Sequence, residues 1–200
     1  KSIDQGNRPS DDLIVEISYI DDCLKISNTG TFFDEDGIKA IVQGNNSPKK
    51  GKYIGNKGTG FRSILNWASS VRIFSGEFAV EFSKSYAKEI FDTIKDTPQI
   101  AKQLQREKTL YIPMLAVPRN IPHDRPIDRT TIEIDVDPKK SQDEYSVRKQ
   151  LETIDLRILL FLPNVSEISI ATDDKHVVYQ RSKTDSLMEY DFSWSDITLS

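Results

Sequence analysis

Tyr53-Ile54-Gly55-Asn56-Lys57-Gly58-Thr59-Gly60-Phe61-Arg62-Ser63-Ile64-Leu65 is the stretch on which the reading of this chain turns. Three glycines at GxxGxG spacing run straight into an apolar, helix-compatible segment, Phe61 to Trp67. Glycine has no Cβ, so its backbone can take positive φ and approach a ligand closely. Backbone N–H groups converging ahead of a helix N-terminus form a positively polarised nest for phosphate. The first reading is a phosphate cradle; the competing one is a glycine-rich surface loop, because such a motif needs its structural context. A dinucleotide fingerprint has the reverse spacing, GxGxxG, and follows a buried strand, whereas Ser47-Pro48-Lys49-Lys50-Gly51-Lys52 is polar. A Walker loop needs Ser or Thr after its Gly-Lys, and Lys57 is followed by Gly58.

The 200 residues suit one domain, and 37% hydrophobic with 29% charged residues is a globular composition. A net charge of -4 argues against a general nucleic-acid surface. No apolar run reaches membrane-spanning length and no signal peptide is visible, so a membrane partner is not expected. The single Cys23 excludes an internal disulfide framework and fits a cytoplasmic location. The chain starts at Lys1 rather than Met, as a fragment would.

Leu13 to Ile20 and Cys23 to Ser27 read as the two arms of a hairpin turned at Asp21-Asp22, ending in Asn28-Thr29-Gly30. Asp34 is placed to cap a helix running to about Gln43, with Phe33 and Ile38 as a hydrophobic staple. Asp34-Glu35-Asp36 reads as a helix start complementing the dipole, with metal binding as the alternative. Gly44 to Lys52 has the composition of a mobile loop. Val71 to Ser75 and Phe78 to Phe82 predict a hairpin turned at Gly76-Glu77, and Pro98 divides Tyr86–Arg106 into two short helices. Four prolines between Leu110 and Pro126 predict an irregular connection. Thr130 to Val136 alternates as a half-buried strand should. Val147, Leu151, Ile154, Ile158 and Leu162 predict one long helix ended by Pro163. Val165–Thr172, Val177–Arg181 and Met188–Trp194 read as three antiparallel strands. Irregular alternation of helices and strands, with hairpins at both ends, predicts α+β.

Two flanking pieces turn the glycine motif into a candidate site. An adenine ring needs an acceptor for its exocyclic amine and a donor for a ring nitrogen, both on rigid elements. Asn28 at one strand end and Thr130 opening another have the chemistry for this, and Gly30 would let the backbone approach the base.

This combination resembles the GHKL ATPases, the superfamily of gyrase, the large heat-shock chaperone, histidine kinases and mismatch-repair proteins, and within it the sacsin-type, chaperone-like ATP-binding domains. The resemblance rests on Ile26 to Phe33, Ser47-Pro48-Lys49, Ile54 to Ser63, Thr130-Thr131-Ile132 and Leu156 to Leu162 followed by a strand. It covers roughly residues 1–170, leaving 171–200 as strands of the same domain or of a following region. It implies the Bergerat fold, a two-layer α/β sandwich in which a mixed, mostly antiparallel sheet carries helices on one face. ATP with Mg2+ would bind under a mobile lid, and hydrolysis would drive conformational change in a larger protein.

Carried over by position, Asn28 falls where the family has an adenine-reading Asp, Gly30 is the glycine beside the base, and Thr130 the threonine near it. Gly55, Gly58 and Gly60 would line the phosphates with Lys57 and the N–H groups of Thr59, Gly60 and Phe61; Ser47 and Lys49 would belong to the lid. Asp4 matches the last residue of the family's N-box, Lys1 stands where a magnesium-ligating Asn is usual, and the general-base Glu would precede Lys1, so no catalytic or metal-ligating residue is assigned. The alternative implied by these departures is a nucleotide-gated interaction module that does not hydrolyse ATP. Expected partners are a second copy or other domains of the same polypeptide, and nucleic acid only through such domains. His123 and His176 have no partner at zinc-ligand spacing.

Overall fold

Leu13–Ile20 (β1) alternates its side chains across a sheet, and the odd-numbered ones, Val15, Ile17 and Tyr19, join the hydrophobic core. The computed structural model describes residues 13–43, 61–106, 110–140, 146–162, 164–183 and 190–196. β1 turns at Asp21-Asp22 into Cys23–Asn28 (β2). Both turn residues have positive φ, 50° and 58°, as a tight two-residue hairpin requires and Asp tolerates. Asp34 Oδ1 accepts the Gly37 N–H at 2.8 Å and so caps Glu35–Gln43 (α1).

The segment after the glycine motif departs from expectation. Phe61–Asn66 forms a six-residue 3₁₀ helix, not an α-helix. Only Trp67 then separates it from the strand Ala68–Ser75 (β3), too little chain for further helical turns. β3 returns through Gly76 (φ 58°) to Phe78–Ser83 (β4). Lys84–Ile94 (α2), capped by Ser83, and Pro98–Arg106 (α3) follow as the two expected short helices. A 3₁₀ turn at Met114–Ala116 and a two-residue strand, Arg119–Asn120 (β5), interrupt the proline-rich connection before Thr130–Val136 (β6).

The predicted long helix is broken in two, Val147–Glu152 (α4) and Ile158–Phe161 (α5). Between them Asp155 accepts from the backbone N–H of Arg157 at 2.9 Å and pairs with its guanidinium, a local turn that competes with helix propagation. The apolar spacing survives because both pieces face the same core. Val165–Thr172 (β7), His176–Lys183 (β8) and Tyr190–Asp196 (β9) complete the chain's described elements.

Among the described residues the nine strands form one sheet in the order β5-β4-β3-β6-β2-β1-β7-β8-β9. Every pairing is antiparallel except β1 with β7, so the sheet is mixed and mostly antiparallel, as expected for α+β. β8 and β9 continue the same sheet as β7. Register places Tyr19, Leu24, Ile134 and Val71 in one cross-strand row and Ile17, Ile26, Ile132 and Ile73 in the next. Onto this apolar face α1, α4, α5 and both 3₁₀ helices contribute their buried residues, forming the second layer.

The other face is polar and carries no such helical layer among the core residues described. A strap of residues 121–129 crosses it instead: Arg125 Nε donates to Glu133 at 2.8 Å, Arg129 reaches Glu16 at 2.9 Å, and His123 meets Phe74 edge-on. β6 is therefore buried on both faces rather than half-buried, with Thr131 and Glu133 only 1% and 5% exposed.

Tyr19 marks the end of the sheet away from the site described below. It is buried, donates to Asp22 Oδ1 at 2.8 Å, and lies under the Arg148 guanidinium. Burial first, then the hydrogen bond to the Asp22 carboxylate, pushes its phenol up to about 12. The unfolded chain loses this proton near the ordinary value of 10.0, the folded one only near 12, so stability is fully present below pH 10 and falls between about 10 and 12. Urea unfolding across that window should show a decline in the parent that Tyr19→Phe lacks; identical slopes would refute it.

Candidate functional site

The apolar face ends in a polar row. Asn28 on β2 pairs with Thr130 on β6, and Thr130 pairs with Ser75 on β3. All three lie two residues beyond Ile26, Ile132 and Ile73, so strand alternation puts them on the helix-bearing face. Thr130 and Ser75 are 1% and 2% exposed, with hydroxyls 2.6 Å apart. Asn28 is half-buried.

The chain between β2 and α1 is fastened over this row. Thr29 exchanges hydrogen bonds with Ile14, its N–H donating to the Ile14 carbonyl and its Oγ1 accepting the Ile14 N–H. Phe32 packs on the Gly76 turn, leaving only 3.2 Å for a Cβ there. The Phe33 N–H donates to Ser75 Oγ at 2.8 Å. Capping of α1 by Asp34 follows immediately, so helix start, turn and polar row form one rigid corner.

Asn28 Oδ1 accepts the Gly30 N–H at 3.1 Å. A Cβ on Gly30 would lie 3.1 Å from that oxygen, tight enough to displace the amide. Gly30 thus clears space for Asn28, a reason its sequence context did not supply. Asn28 and Thr130, identified separately from sequence, are brought together. Ser75 was missed: its partnership with Thr130 spans 55 residues, and a serine at a strand end carries no local signal.

Phe61 enters from elsewhere. It opens the 3₁₀ helix leading to Ala68, the start of β3, whereas Ser75 is that strand's last residue. Phe61 is half-buried against the core, and the neighbouring Arg62 has its Nε buried with no hydrogen-bond partner among the described residues. A buried, unpartnered guanidinium nitrogen is costly unless an anion pairs with it. Asp4, Ser47, Lys49, Gly55, Lys57, Gly58, Thr59 and Gly60 lie outside the described residues.

No family model matches the chain, and the comparison with curated proteins found no match. Among solved structures it is similar to the 43K ATPase domain of gyrase B from Thermus thermophilus, crystallised with an aminocoumarin. The two are 12% identical with a TM-score of 0.44, over 82% of this chain and 39% of that one. The chain therefore spans well under half the length of that structure.

Other candidate sites are weaker. A small cleft lined by Leu151, Ile154, Ile170, Val177 and Tyr179 is mainly apolar, and the Tyr179 hydroxyl is already bonded to the Ile154 carbonyl at 3.0 Å. Among the described residues no three His, Cys, Asp or Glu side chains converge as metal ligands, and no helix is long and apolar enough to cross a membrane.

Proposed function

We propose that this chain is a GHKL-type domain that binds a purine nucleoside triphosphate, ATP in the family at large, with Mg2+. The observation that carries the proposal is the polar row Asn28–Thr130–Ser75 at the end of an otherwise apolar sheet face, held against the start of α1. Rigid polar groups edging an apolar surface are what a base-reading site requires. Asn28 would read the base edge from a side chain oriented by Gly30, while Ser75 holds Thr130 in place beside it. Residues 55–60 with Arg62 would take the phosphates, and Ser47 and Lys49 would close over them. Bound Mg2+ would neutralise part of the phosphate charge.

The quoted motifs favour kinship with sacsin-type, chaperone-like domains. Slow hydrolysis coupled to conformational change in a cytoplasmic multidomain or dimeric protein completes the reading. The residues of the polar row would supply binding and orientation.

Thermal unfolding with ATP–Mg2+ and with GTP–Mg2+, on the parent and on Gly58→Val, tests this. A nucleotide at a hundred times its dissociation constant adds about 2.7 kcal/mol. We expect a rise in Tm that the valine, by blocking close approach of phosphate, abolishes. No rise with either nucleotide in the parent would overturn the proposal.

A further inference from the structure

Given that nucleotide site, we infer that Asn28 makes the chain select 6-keto purines, guanine or hypoxanthine, over adenine. The inference rests on the orientation of one amide. The Gly30 N–H is a donor 3.1 Å from the Asn28 side chain, so the atom facing it must be the oxygen. Turning the amide over would set two donors against each other. With Oδ1 occupied by the Gly30 N–H, the group Asn28 has left to offer is its NH2, which makes no hydrogen bond among the described residues.

A carboxylate at this position would offer an acceptor from either oxygen: one could take the Gly30 N–H and the other an exocyclic amine. The amide replaces that second acceptor with a donor. A donor matches the 6-keto oxygen of guanine or hypoxanthine and opposes the 6-amino group of adenine. The other members of the row do not dictate this choice. The Thr130 hydroxyl, held by Ser75, can donate or accept, so it adjusts to either base. Asn28 alone in the row is directional. Sites built around a directed hydrogen bond reject ligands that cannot complete it, because the polar group is left unpaired.

ITP and ATP differ at position 6 and the adjoining ring nitrogen, so isothermal titration of the parent with each, and with GTP, in Mg2+ tests the inference without any mutation. ITP and GTP should bind at least about tenfold more tightly than ATP, the worth of one matched against mismatched hydrogen bond. Asn28→Asp keeps an acceptor for the Gly30 N–H and should move the preference toward ATP, with circular dichroism checking that the variant is folded. ATP binding as tightly as ITP to the parent would overturn the selectivity and leave nucleotide binding intact. Failure of all three to bind would overturn both this inference and the function on which it rests.

Discussion

Phe82→Ala should remove about 3–5 kcal/mol of stability. Phe82 is fully buried on β4, opposite Val71 on β3, on the helix-bearing face of the sheet. The Met114–Ala116 turn packs on the same strand, and Met114 and Leu115 are buried in the core that Phe82 joins. Truncation opens a cavity that strands on both sides prevent from collapsing, so the transfer and cavity terms add. At about 2–4 °C per kcal/mol for a chain of this size, Tm should fall by roughly 10 °C. Denaturant unfolding with an unchanged m-value would confirm a folded-state origin. A loss below about 1 kcal/mol would show that the second layer packs far more loosely than we describe.

Leu159→Ala is expected to cost about 3–5 kcal/mol, although it lies in a helix of four residues. So short a helix has no stability of its own. Leu159, with no solvent exposure, is its one buried side chain, and Arg181 Nη1 donates to the Leu159 carbonyl at 3.4 Å. The next two residues, Leu160 and Phe161, are 62% and 73% exposed. Leu160→Ala therefore serves as an internal control and should change stability by no more than about 0.5 kcal/mol. Equal losses from the two substitutions would mean that the helix docks through a different face.

Both sites illustrate what a linear reading reaches. The apolar periodicity from Val147 to Leu162 picks out five residues that pack on the core whether or not the helix is continuous, but it passes over Leu159, the one fully buried side chain of α5. It could not show the break, because Asp155 and Arg157 are ordinary helix-surface residues until their turn forms. Likewise Asn28 and Thr130 could be picked out individually, each by its place at a strand end. That they are neighbours, and that Ser75 joins them, depends on the pairings of β6 with β2 and β3.

What the sequence determined by itself is local. The Asp21-Asp22 and Gly76 turns, the Asp34 cap, the division at Pro98 and the alternation of β1 each rest on contacts within a few residues, where backbone sterics and one side chain decide the outcome. Tertiary structure alone decided the parallel pairing of β1 with β7, the burial of both faces of β6 beneath the Arg125 strap, and the assembly of the polar row Asn28–Thr130–Ser75. Those features come from groups more than fifty residues apart, or, for Glu133 and Arg125, from a loop folding back on a strand it precedes. No periodicity encodes such meetings; they exist only once burying the apolar face has brought the strands into register.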